Sequence, residues 1–160
     1  MKKTQTDFIN KLGIGAFAYI SISEFCGLIE YVFENILIIA GTGAKTIIWL
    51  PEIMNLILFT IIMVWGIKKY SKPIEMDTQK ALKFLIIIFF GILILQFLFS
   101  YFGTDFLREK YSIEFENYAK ANKGSLMLRG YLAFLPILQF VILAIILLMN
   151  KKTVANKELS

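Results

Sequence analysis

The feature that most constrains this chain is the stretch from Ile14 to about Ala40, which is apolar and long enough to cross a bilayer yet carries Glu24, Glu30 and Glu34. Thirteen Leu, Ile, Phe and Val residues lie in that window. At roughly −0.3 to −0.6 kcal/mol each, they favour insertion by about 6 kcal/mol. Three central carboxylates at about +2.5 to +3.5 kcal/mol each cancel that gain. Such a helix is viable in a membrane only if its glutamates are protonated, paired or turned towards a wet interior. The acids therefore define a candidate site before any fold is known.

Composition fixes the class as all-α and integral to the membrane. Of 160 residues, 58% are hydrophobic and 18% charged, against roughly half apolar and a quarter charged in a soluble domain. Several windows reach the roughly 20 apolar residues that span a hydrocarbon core. The single Cys26 has no disulfide or metal-site partner within the chain, and there is no His. Haem ligation by His, His-based zinc sites and Ser-His-Asp chemistry are thereby excluded within it. No cofactor, metal or nucleic-acid partner is expected, and the principal partner is the lipid bilayer itself.

In chain order, residues 1–13 read as a short polar tail with Lys2, Lys3 and Lys11, followed by a first transmembrane helix over about 14–40. Asp7 and the length of the apolar run argue against a signal peptide. The Gly41-Thr42-Gly43 turn separates a second helix over about 46–67, with Pro51 in its first turn and Glu52 near the positive end of its dipole. Trp49 and Trp65 mark its two interfaces. A short basic loop leads to the third helix, about 81–102, which Gly103-Thr104-Asp105 is expected to stop. Leu107, Tyr111, Phe115 and Tyr118 recur on one helical face, predicting a short amphipathic helix in the 103–125 loop that lies on the membrane surface. The fourth helix, about 126–150, holds Arg129, Pro136 and Gln139, and a tail over 151–160 closes the chain. Residues 14–150 thus form a single four-helix transmembrane domain.

Basic residues set the expected orientation. Three fall in the N-terminal tail, five in the middle loop and three at the C-terminus. Against these, the first loop has one, and the third loop with the start of helix four has five. The positive-inside rule puts both termini in the cytoplasm. With that orientation, Glu24 and Glu30 lie near mid-membrane, and Glu34, Glu52, Asn55, Gln96 and Arg129 lie further out, with Gln139 near the midplane. At 100° per residue, Glu24, Glu30 and Glu34 share a 120° sector of helix one. Every helix brings a polar group to the outer half. That convergence marks Glu24, Glu30, Glu34, Glu52, Asn55, Gln96, Arg129 and Gln139 as candidate ligand- or ion-binding residues. The bland alternatives are interhelical glue for the amides, headgroup-level placement for Glu52 and Arg129, and a structural counter-ion role for Arg129.

Three classes of function fit. One is an oligomeric cation- or proton-handling, or small-ligand-binding, transmembrane subunit of channel or transport type. Another is a membrane interaction or regulatory subunit, such as an immunity, assembly or defence-system effector, pairing with a partner protein in the bilayer. An intramembrane lipid-modifying enzyme ranks last, because no nucleophile–base spacing or metal-ligand motif is present. The topology makes a first testable statement. Reporter fusions at Ser160 and near Asn122 are expected to report opposite sides of the membrane, with Ser160 inside. An outside signal from Ser160 would invert every depth assigned above.

Overall fold

The computed structural model describes residues 2–70, 78–124 and 135–158, and these are all helix apart from the turn at 40–43 and the break at 111. Five helices follow in order: α1 (Lys2–Ile39), α2 (Ala44–Tyr70), α3 (Thr78–Lys110), α4 (Ser112–Gly124) and α5 (Leu135–Glu158). Three segments are long and apolar enough to cross a membrane: Lys11–Ile39, Ala44–Lys69 and Gln79–Lys110. Pro136–Leu147 of α5 is a shorter apolar helix. The first third of the expected fourth span, 126–134, including Arg129, lies outside the described residues.

Helix α1 is the central element. It packs against α3 on one side and α2 on another, and α5 packs on α2. At its end, Gly41 takes φ 64°, the left-handed conformation that glycine adopts without penalty. Thr42 N–H donates to the Leu37 carbonyl at 3.1 Å and Gly41 N–H to the Ile38 carbonyl at 2.9 Å. These two bonds are a Schellman cap, which closes α1 and turns the chain directly into α2.

Several boundaries differ from the sequence reading, each for a physical reason. The polar stretch before Ile14 is helical, with α1 starting at Lys2, while the membrane-length segment begins at Lys11. Helix α2 begins at Ala44, which puts Pro51 inside it rather than in its first turn. Pro51 is fully buried there, and its missing N–H leaves the Ile47 carbonyl without its usual helical donor. Glu52 is consequently about 12 Å from the start of the helix, too deep to serve as a dipole cap. Gly103-Thr104-Asp105 does not stop α3, which continues to Lys110.

Gly103 has a different role. A Cβ there would come within 3.3 Å of both Asn35 Nδ2 and Tyr31 Oη, so the glycine permits close approach of α3 to α1. Helix α4 returns over the end of the bundle at the Gly41 turn. Its apolar side, with Phe115 and Tyr118, and the preceding Tyr111 pack on a buried cluster of Ile38, Ile47 and Leu107. That face is covered by protein.

A second apolar cluster lies nearer the opposite end. Cys26, Phe59 and Met63 form its buried centre, ringed by Tyr19, Ile22, Leu58, Ile62, Ile142, Leu143 and Ile146. Tyr19 meets Phe59 edge-on at 5.9 Å. The two apolar clusters thus bracket the middle of α1 and α2. The close approach at Gly103 is testable against Gly91, which faces open space. Gly103→Leu is expected to lower stability by about 1–3 kcal/mol through overpacking. Gly91→Leu, measured in the same detergent-unfolding assay, should be neutral or slightly stabilising.

Candidate functional site

Between the two apolar clusters lies a layer of polar side chains, and the helical period of α1 explains how it is shared out. Relative to Glu24, Glu34 is rotated by 80° and Glu30 by 120° around the helix. The three acids therefore face three different neighbours. Glu24 turns to α3, where Gln96 Nε2 donates to its Oε2 at 2.9 Å and to its backbone carbonyl at 2.8 Å. Glu30 turns to α2 and accepts a hydrogen bond from Asn55 Nδ2. Glu34 lies one turn further on and accepts from the Tyr118 hydroxyl of α4.

Asn55 is the node of this layer. It is 2% exposed, and its Oδ1 accepts from Gln139 Nε2 of α5 at 2.9 Å. Gln139, equally buried, accepts in turn from Ser23 Oγ at 2.7 Å. Ser23 stands seven residues before Glu30, on the same face of α1. A single chain of hydrogen bonds thus runs Ser23, Gln139, Asn55, Glu30 and ties α1, α2 and α5 together. Both buried amides satisfy donor and acceptor at once, the condition for burying them cheaply.

Glu52 is one turn from Asn55 on α2. Its Oε2 is buried without a hydrogen-bond partner among the described residues. The carboxyl faces Glu30 and lies within electrostatic range of Glu34. Among the described residues, no Lys or Arg pairs with Glu24, Glu30 or Glu52. Carboxyl groups in an apolar layer are costly unless donors or opposite charges meet them. Glu30 is about 7.5 Å and Glu52 about 7 Å from the centres of their membrane-length segments.

One face of the layer is open. A groove of about 620 Å³ runs between α1 and α3. Its α1 wall is Gly27, Leu28, Glu30, Tyr31 and Glu34, and its α3 wall is Leu93, Gln96, Phe97 and Ser100. At one end the Gln96–Glu24 bonds cross between the helices. At the other, the Tyr31 hydroxyl spans to the Ser100 carbonyl at 3.5 Å and to Thr104 Oγ1 at 3.3 Å.

Of the residues singled out by sequence, Glu24, Glu30, Glu34, Glu52, Asn55, Gln96 and Gln139 all belong to this layer. Arg129 lies outside the described residues. Ser23, Tyr31, Ser100, Thr104 and Tyr118 were not among those candidates. Ser23 was readable from its i, i+7 relation to Glu30, whereas Tyr118 depends on the return of α4, which no local pattern reveals. Comparison with protein-family models, curated proteins and solved structures finds no match for this chain.

The amide chain carries its own test. Asn55→Ala and Gln139→Ala are expected to be non-additive, with a coupling of about 0.6–1.7 kcal/mol, the range measured for hydrogen bonds between membrane helices. Additive losses in a reversible detergent-unfolding assay would show that the two amides do not act as one chain.

Proposed function

We propose that this chain is a multi-pass protein of the cell membrane, the cytoplasmic or inner membrane in a bacterium. In this reading it crosses four times with both termini in the cytoplasm, and it handles a cation or a proton at the polar layer. The observation that carries the proposal is the convergence of carboxyl groups from α1 and α2 deep within membrane-length segments, with Glu24, Glu30 and Glu52 unpaired with Lys or Arg among the described residues.

Other features support the placement in a bilayer. Trp49 and Trp65 are exposed and stand about 24 Å apart along α2, a spacing suited to the two interfacial belts. Lys69 Nζ sits 4.5 Å from the centre of the Trp65 ring. Pro136–Leu147 supplies the apolar second half of the fourth crossing.

The apolar cluster around Cys26, Phe59 and Met63 stands between the polar layer and the Lys69 end. A single copy in this conformation is therefore built to bind rather than to conduct. Transport requires a second copy, a partner or a rearranged bundle. Helix α3 leaves large apolar side chains, Phe84, Ile87, Phe90, Ile94 and Phe97 among them, exposed, a face that lipid alone satisfies in a bilayer and that another membrane helix could also cover. The second reading is a regulatory subunit that pairs with another membrane protein. No enzymatic role is proposed.

The deciding experiment is flux in liposomes under an imposed diffusion potential, read with proton- and potassium-sensitive dyes. Wild-type protein is expected to exceed empty liposomes, and Glu30→Gln with Glu52→Gln should return the rate to background. Folded wild-type protein that moves neither ion would leave the partner-binding reading.

A further inference from the structure

The polar layer is closed along the bundle axis and open to the side, which constrains what reaches it. Towards the Gly41 turn it is covered by the Ile38, Ile47 and Leu107 cluster with α4 above it. In the other direction lies the cluster around Cys26 and Phe59. The α1–α3 groove is the lateral opening, and Phe97, 69% exposed, stands at its lip. The groove lies on the membrane-length parts of both helices, so in the bilayer placement proposed above its mouth opens towards acyl chains. A ligand that comes this way must be soluble in the hydrocarbon layer.

The walls then define its chemistry. Glu30, Glu34 and Tyr31 lie on the α1 wall, where Gly27 has no side chain, and Phe97 brings a second aromatic ring from α3. A hard inorganic cation takes about six to eight oxygen ligands if calcium, or a near-octahedral set if magnesium. Among the described residues no group of three or more His, Cys, Asp or Glu is arranged to hold a metal ion. An organic cation is less demanding, needing one counter-carboxylate and an aromatic face within about 6 Å. A volume of about 620 Å³ falls within the range of about 300–1,000 Å³ typical of small-molecule sites.

We propose that the α1–α3 groove binds a lipid-soluble organic monocation, an ammonium or phosphonium centre on an apolar body, which enters sideways from the bilayer. The cationic centre rests against Glu30, with Tyr31 and Phe97 flanking it, and the apolar body occupies the space beside Gly27 and Leu93. A phospholipid amine is disfavoured as occupant, because its phosphate would have to follow it to a carboxylate about 7.5 Å from the centre of its membrane-length segment. The proposal rests on the cation-handling reading above and narrows it to one class of ligand.

The test uses the full chain in phosphatidylcholine nanodiscs with radiolabelled tetraphenylphosphonium. Saturable binding is expected, displaced by dodecyltrimethylammonium and not by sodium, potassium or neutral triphenylphosphine oxide. Glu30→Gln should weaken it about tenfold or more, the scale of a lost interaction with a charged group. Gly27→Leu should abolish it by placing a side chain in the groove. If that variant fails to fold, Phe97→Ala, at an exposed position, should still weaken binding about two- to thirtyfold. Glu116→Gln on the exposed side of α4 should leave it unchanged.

Binding that does not saturate, or that survives Glu30→Gln at full affinity, overturns the proposal. So does displacement by raising phosphatidylethanolamine in the disc, which would make the occupant a lipid headgroup. Absence of binding alongside ion flux in liposomes sinks this inference alone, whereas absence of both takes the cation-handling reading with it.

Discussion

The interaction on which the rest of the structure depends is the one between Asn55 and Glu30. A carboxyl group deep in an apolar helix layer is costly unless its oxygens are met by donors. Asn55 supplies one, from a neighbouring helix and from a position 2% exposed. With Nδ2 donating to Glu30, buried Asn55 also needs a donor for its own oxygen, and Gln139 provides it. Gln139 in turn needs Ser23. The position of α5 against α1 and α2 therefore follows from the requirement to satisfy one acid.

The same logic explains the two remaining acids of α1. Among the described residues, neither Glu24 nor Glu34 hydrogen-bonds to the amide chain. Glu24 is met by Gln96, the one polar side chain in the run Phe84–Phe99. Glu34 is met by Tyr118, which requires α4 to fold back over the end of the bundle. Each acid thus recruits a different helix, and their angular spread on α1 is what lets one central helix organise the others. The apolar clusters on either side fix the layer's height, and the gap left between α1 and α3 gives it an opening.

Periodicity made much of this legible in the sequence. The shared sector of Glu24, Glu30 and Glu34 follows from 100° per residue, and the placing of one polar group per helix followed from counting spans. Tertiary context decided the rest. Pro51 looked like a first-turn proline because that is where prolines are cheapest in a helix, yet α2 begins two turns earlier and carries Glu52 inward with it. Gly103 looked like a stop signal, yet it marks close approach to Tyr31 and Asn35. The spacing of Leu107, Tyr111, Phe115 and Tyr118 suggested one helix, yet Leu107 belongs to α3 and Phe115 and Tyr118 to α4, with the break at Tyr111 between them, and periodicity cannot say whether lipid or protein covers such a face. Here protein does.

The chemical character of the hydrogen-bonded chain also limits how protons travel. Carboxyl and phenol groups exchange a proton readily, because each holds it on an oxygen that both donates and accepts. An amide keeps its acceptor on oxygen and its donors on nitrogen, and passing a proton through it requires a high-energy tautomer. Asn55 and Gln139 lie in series between Glu30 and Ser23, so the chain is a poor proton wire towards the Cys26 cluster. It works instead as a mechanical link between α1, α2 and α5. Under the proposed mode of binding, a cation at Glu30 would meet a carboxylate that Asn55 already engages, so its arrival would bear on the same bonds that seat α5.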